Sequence, residues 1–292
     1  MSVDKLQERI RKMKNPSVID LWVQPEQIPA HILQEEGSFV RAYGRFCGEL
    51  LCGLKGIVPA VRFSFHTFAL LGQEGLAQLA KLLRYAADLG FYVLLDGPEA
   101  LSAQAAAANA RQLLGNDTDL YFDGLILPSY IGSDGLRPYA SLIGEKGKAL
   151  FTVLRTSNRT APELQDLLTG SRLVHAAAAD IVNRLGEAMV GKSGYSQIAA
   201  MAAAASPESL RNLRSKYKYL FLLLDGYDYP NANAKNCSLA FDRLGHGAAA
   251  CAGSSITAAW QAEGSDGRDY VECAIRGAQR MKKNLTRYVS VL

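Results

Sequence analysis

YVLLDGPEALSAQAAAANARQLLGNDTDLYFDGLILPSYIGSDGLRPYASLIGEKGKALFTVLR, residues 92–155, alternates two kinds of segment. The runs YVLLD (92–96), GLILPS (124–129) and ALFTVLR (149–155) are aliphatic with no polar alternation, so they read as strands buried on both faces. The stretches between them, SAQAAAANARQLLG and DGLRPYASLIGEKG, read as helices that open on Ser102 or Asp134 and close on Gly115 or Gly147. Strand, helix and strand in this order require parallel pairing with the helices packed outside. The pattern extends in both directions, through SVIDLW (17–22) and VPAVRFSF (58–65) before it, and SQIAAMAAA (196–204), YLFLLLDG (219–226) and GAAACAGSS (247–255) after it. Eight strands with intervening helices predict closure into a (β/α)8 barrel. No linker rich in Pro, Gly or Ser divides the chain, so residues 1–292 are expected to form one domain. Leu6, Ile10 and Met13 predict an amphipathic helix over 1–15. Val271, Ile275, Ala278, Met281 and Leu285 predict a closing helix over 268–292.

Composition excludes several classes. Of 292 residues 49% are hydrophobic and 21% charged, enough apolar surface for a substantial core and too much for a disordered chain. Lys+Arg 32 against Asp+Glu 28 gives +4, with no basic stripe, so no nucleic-acid partner is expected. Arg276, Arg280, Lys282 and Lys283 read as a solvated helix face. The five cysteines form no C-x-x-C pair and lack histidines at ligand spacing, so reduced thiols and no metal are expected. MSVDKLQERIRKMKN has no apolar run of signal-peptide length. The run IAAMAAAA (198–205) is far shorter than the ~20 residues of a membrane span. A cytoplasmic protein without a membrane partner is the expectation.

GEAMVGKS (186–193) satisfies G-x-x-x-x-G-K-[ST], but a phosphate loop follows a strand and opens a helix. Here the match continues a helix and precedes a strand, so it reads as a helix end and a turn. A barrel instead builds its site at the C-terminal ends of its strands. Those ends offer Asp20 with Trp22, Arg62, Asp96, Ser129 with Tyr130, Thr156 with Ser157 and Asn158, Asp225 with Tyr227 and Asp228, and Ser254 with Ser255. None of these positions is a His or a Lys. General acid/base chemistry would therefore rest on Asp96, Glu99, Asp225 or Asp228. His66 and His175 lie without ligand spacing to a second His.

The same segments, in this order, resemble the orotidine 5'-phosphate decarboxylase family, in its longer bacterial type-2 branch. The resemblance runs through KNPSVIDLW, AVRF (60–63), GQEGLAQL (72–79), LLDGPEALSAQAAAANA (94–110), YIGSDGLRP (130–138), FTVLRTSN (151–158), ELQDL (163–167), GKSGYSQIAA (191–200) and LDGY (224–227). It implies a dimeric barrel that removes carbon dioxide from pyrimidine C6. The implied machinery is a Lys after the second strand and an Asp-x-Lys-x-x-Asp motif after the third, whose Lys protonates the carbanion. In this chain the first Lys position is Arg62, and the motif reads Asp96-Gly97-Pro98-Glu99-Ala100-Leu101. Asp96 and Arg62 remain as remnants, while Pro98 and Leu101 replace the proton donor and the carboxylate supplied across the dimer. A prolyl ring carries neither proton nor charge, and losing a positioned general acid costs about 10²–10⁴ in rate. The ribose-contacting Asp of the first strand corresponds to the Asp20-Leu21-Trp22-Val23 stretch, and the phosphate loop to Asp225-Gly226-Tyr227-Asp228-Tyr229-Pro230. The pyrimidine contact Thr156-Ser157-Asn158 carries over.

The expected site therefore comprises Asp96 and Arg62, with Thr156, Ser157, Asn158, Trp22, Asp225, Tyr227 and Asp228 as ligand-binding residues. No cofactor is expected. The sequence favours a homodimeric, non-catalytic or regulatory barrel of this family, with a possible small-molecule ligand at its mouth. Two alternatives stand beside it: an active decarboxylase converting orotidine to uridine monophosphate, and a barrel re-tooled for a non-phosphorylated ligand. Trp22 is expected to pack as a plug over the barrel top, and Asp225 and Asp228 to form turns.

Overall fold

In a computed structural model covering residues 1–292, each aliphatic run forms one parallel strand of a closed barrel. The strands are β1 (Ser17–Asp20), β2 (Ala60–Ser64), β3 (Tyr92–Asp96), β4 (Gly124–Pro128), β5 (Ala149–Val153), β6 (Ile198–Ala203), β7 (Leu222–Asp225) and β8 (Ala248–Ala252). Neighbours in sequence are neighbours in space, and β1 closes on β8 with Ser17 opposite Ala250. The fold is the single-domain (β/α)8 barrel that the pattern predicts.

Most strands stop one to three residues short of the apolar runs, because their last residues turn outward into the mouth. SVIDLW, for example, leaves the sheet after Asp20, so Trp22 stands outside the barrel wall. The core interdigitates large and small side chains. The alanine-rich β6 and β8 flank Leu222, Leu223 and Leu224 of β7, and all of these residues are buried.

Eight longer helices surround or cap the barrel: α1 (Ser2–Met13), α2 (Phe39–Leu54), α3 (Gly72–Asp88), α4 (Ala103–Leu113), α5 (Ser133–Lys146), α6 (Val174–Gly186), α7 (Pro207–Lys216) and α8 (Tyr270–Thr286). Ser102 accepts the Ala105 N–H at the start of α4, as its capping position predicts. Helix α5 closes on Gly147 at φ 63°. Helix α1 crosses the base of the barrel, where Val3, Leu6 and Ile10 are buried. Met13, expected on the same face, is only partly buried. The Val3 N–H donates to the Gln197 amide oxygen, and the Gln7 amide oxygen accepts from the Gly247 N–H, so α1 bridges the entries to β6 and β8. The GEAMVGKS loop lies at this same end. Gly186 ends α6, and Ser193 donates its N–H and hydroxyl to Asp4 at 2.8 and 2.6 Å. The loop leads into β6 and not into a helix. No helix is long and apolar enough to cross a membrane.

Candidate active site at the barrel mouth

Parallel pairing brings the ends of β1, β2, β3 and β7 to one level, and Arg62 occupies the middle of that level. Its side chain is buried and its guanidinium donates in two directions. Nε reaches Asp96 Oδ2 at 3.1 Å, with Nη2 bonded to the same oxygen, while Nη1 reaches Asp225 Oδ1 at 2.8 Å. Nη1 also lies 3.5 Å from Asp20 Oδ1, an oxygen that is buried and accepts no hydrogen bond.

One cation thus faces three carboxylates. Burial pushes the Asp20 carboxyl up to about 7; Arg62 opposes that rise, and Asp225, Asp96 and Asp228 add to it. Burial alone would lower the Arg62 pKa, but the Asp20, Asp96 and Asp225 carboxylates outweigh it and hold the guanidinium well above its ordinary value. Such a group stays charged and serves no proton transfer. The Cys251 thiol, buried beneath the cluster, is likewise pushed well above the usual thiol range by burial and then by Asp20.

The loop after β3 carries the residues next in importance. Gly97, at φ +83°, lets the chain turn so tightly that a Cβ there would lie 2.8 Å from His66 Nε2. That turn brings Glu99 against His66, whose Nε2 bonds to Glu99 Oε2. This pair was not foreseen, since the strand-end reading found no histidine. Residues 58–65 were expected to be extended to the end, but Phe65–Ala69 winds into a short helix and swings His66 over the mouth. The signal available was Glu99 beside Pro98, with a lone His four residues after Arg62.

The other expected residues divide. Ser157 donates to the Asp225 carbonyl at 2.7 Å, so it braces β5 against β7. Gly226, at φ +75°, accommodates this contact, because a Cβ there would meet Ser157 Oγ at 2.6 Å. Thr156 accepts the Gln165 side-chain N–H at 2.8 Å and donates to Asn158 at 2.5 Å, while Asn158 donates to Thr160 at 3.0 Å. Thr156 faces the mouth, whereas Asn158 braces its own loop.

Asp228 is more than a turn former. Its Oδ2 accepts from Gly253 N at 2.8 Å and Ser255 N at 3.2 Å, the backbone donors that follow β8. Asp225 too is more than a turn former, through its bond to Arg62. Tyr227 does not join the site. It packs against the core on the flank of α8, in a separate groove with Asn284 and Arg287, because the turn at Gly226 directs it outward. Nor is Trp22 a plug: its side chain remains half exposed, since no neighbouring element closes over it.

Between these groups lies a cavity of about 790 Å³, lined by Trp22, Phe39, Leu70, His66, Asp96, Glu99, Tyr130, Thr156 and Gln165 among others. Of the strand-end charges only Asp96 reaches its wall. No Lys or Arg lines it. The Tyr130 hydroxyl donates to the Leu154 carbonyl, which fixes the ring in the wall. No group of three or more His, Cys, Asp or Glu side chains is arranged to hold a metal ion. A second, wholly polar cavity of about 410 Å³ lies at the opposite face between α1, Lys192 and His246.

No family model matches this sequence. An orotidine 5'-phosphate decarboxylase of Rhodopirellula baltica is 28% identical over 247 residues, covering 81% of this chain and 82% of that protein. The one from Clostridium acetobutylicum is 26% identical over 286 residues, 98% of this chain and 99% of the other. Among solved structures, a Streptomyces avermitilis protein assigned to this activity superposes with a TM-score of 0.78 at 21% identity, covering 99% of this chain and 95% of that one. Leishmania donovani OMP decarboxylase gives 0.70 at 20% identity, covering 97% and 98%. The structural likenesses establish the shared barrel. The sequence relatives support the family that the collinear motifs indicate.

Proposed function

Taking the chain as an orotidine 5'-phosphate decarboxylase-like barrel, we propose that it does not decarboxylate orotidine monophosphate and acts as a non-catalytic or regulatory member of that family. One observation carries this reading: the cation beside Asp96 is Arg62, itself bound by Asp96 and Asp225, and no lysine lines the mouth cavity. The guanidinium N–H groups are committed to those carboxylates, and Pro98 and Leu101 offer no proton or charge in place of the family's Lys and Asp. Asp228 adds to the argument. Its carboxylate, in the loop after β7, takes the backbone donors after β8, the region where barrels commonly seat phosphate, and a phosphate dianion there would meet like charge.

The open cavity favours a second reading, a barrel re-tooled for a non-phosphorylated ligand, because the mouth is neither filled by Trp22 nor closed by Tyr227. We place the expected homodimer contact at the rim around Leu101, whose side chain is almost fully exposed. The test is direct assay of carbon dioxide release from orotidine monophosphate by purified protein. The expected result is no turnover above the uncatalysed reaction. Turnover that survives repurification and vanishes in an Asp96→Asn variant overturns the proposal.

A further inference from the structure

The mouth cavity has an unusual balance of chemistry. Both Arg62 bonds to Asp96 converge on Oδ2, so Oδ1 meets no protein donor although Asp96 lines the cavity. Glu99 uses Oε2 for His66, and its Oε1 likewise accepts nothing. The wall therefore presents two solvent-open carboxylate oxygens with no protein donor, and no Lys or Arg lines it. Just inside it, the Arg62 cluster already holds more carboxylates than cations. Low-dielectric walls focus such an excess into the cleft and attract positive charge. The remaining surface is apolar and aromatic, with the half-exposed Trp22 indole, the fixed Tyr130 ring, Phe39 and Leu70. At about 790 Å³ the cavity falls within the ~300–1,000 Å³ of small-molecule sites.

We propose that this cavity binds a non-phosphorylated aromatic amine, its ammonium held by Asp96 Oδ1 and Glu99 Oε1 and its ring against Trp22. The assignment rests on the reading that the mouth no longer takes a nucleotide, and it names the ligand class. A metal ion is a poorer match, since no third ligand is arranged with the two carboxylates. An anionic ligand would face Asp96 and Glu99 with only His66 to oppose them. A neutral aromatic would offer the two carboxylates no cationic donor.

Trp22 makes the test direct. The chain has two tryptophans, and Trp260 lies outside the cavity with its indole N–H on the Gln27 carbonyl. In a Trp260→Phe protein, Trp22 is the sole indole. Its emission is titrated with 2-phenylethylamine, with the neutral isostere 2-phenylethanol, and separately with uridine monophosphate. The expected result is a saturable change with the amine, at least tenfold tighter than with the alcohol. Glu99→Gln should weaken the amine about fivefold. Equal affinity for amine and alcohol, or no saturable change, overturns the assignment. If Glu99→Gln does not fold, the comparison of amine with alcohol on the intact carboxylate still decides. A response to uridine monophosphate contradicts the proposed function whatever the amine does. Silence from both ligands overturns the amine alone.

Discussion

The two ends of this barrel use polar side chains in opposite ways. At the base, acceptors meet backbone donors of the strand entries. Asp123 takes the Val93 N–H at 3.0 Å and the Tyr121 hydroxyl at 3.2 Å, Gln7 and Gln197 take N–H groups at 2.9 Å, and Asp4 ties down Ser193. At the mouth, three carboxylates crowd around one guanidinium and Asp20 Oδ1 accepts no hydrogen bond, whereas the orphaned atoms of the base glutamines are uncharged amide nitrogens, Gln7 Nε2 and Gln197 Nε2. The base polar groups hold the strands in register, whereas the mouth concentrates charge that stability alone would not select. The difference supports placing the proposed site at the mouth.

The largest effect should follow from removing Arg62. Arg62→Met leaves Asp20, Asp96 and Asp225 uncompensated, a loss of about 3–5 kcal/mol for a buried ion pair broken on one side. Thermal denaturation should show a fall of roughly 6–15 °C at pH 8. The fall should shrink at pH 5, where Asp20, raised to about 7, carries its proton and needs no cation. A fall below about 2 °C would mean the mouth charges are as well compensated as those at the base.

Asp20 gives the comparison a pH axis. Its folded pKa of about 7 lies above the ordinary carboxyl value of 3.8, so folding favours the protonated form. Its contribution to stability is fully present below the ordinary value and is lost as pH rises through about 7. Asp20→Asn should therefore stabilise the protein at pH 8, by roughly 1–3 kcal/mol in urea denaturation, and the gap should close toward pH 5. Destabilisation at pH 8 would show that Asp20 works as an ordinary ion-pair partner of Arg62.

The base should respond with the opposite sign. Burial acts to raise the Asp4 carboxyl, but the Ser193 hydroxyl and backbone donors outweigh it and hold it below its ordinary value. Its contribution is present above the ordinary carboxyl pKa and is lost as pH falls. Asp4→Ala should cost about 1–2 kcal/mol at pH 7, with the Trp22 titration unchanged. A changed titration would mean that the two ends are coupled. The smallest effect belongs to Leu101→Ser, since the side chain is exposed and surface substitutions stay within about 0.5 kcal/mol. Sedimentation should nevertheless shift the protein toward monomer if the rim is a contact between copies. An unchanged sedimentation coefficient would remove Leu101 from that contact.

The barrel was legible in the sequence because parallel strands buried on both faces are written as continuous aliphatic runs, and the eight observed strands lie within the predicted ones. The pairing of Arg62 with Asp96 was legible too, since strand ends converge by topology, whereas Asp225 read as a turn former and joins them only through its bond to Arg62. What failed depended on turns. Whether Trp22 covers the mouth, Tyr227 faces it or His66 reaches Glu99 is set by a few backbone angles at Leu21–Val23, Gly226 and Phe65–Gly97, where no periodicity speaks. Asp228 shows the same limit. Asp reads as a turn former, and only the structure brings it to the donors after β8.

The most direct measurement is a thermal melt with and without millimolar uridine or orotidine monophosphate, which reads nucleotide binding without interference from a contaminating enzyme. A ligand at about 100 times its Kd stabilises by roughly 2.7 kcal/mol, several degrees for a domain of this size. The account predicts no shift with either nucleotide, because Asp228 holds the anion-facing donors and Arg62 is committed to carboxylates. A rise of several degrees would contradict it and return the chain to the decarboxylases its sequence resembles.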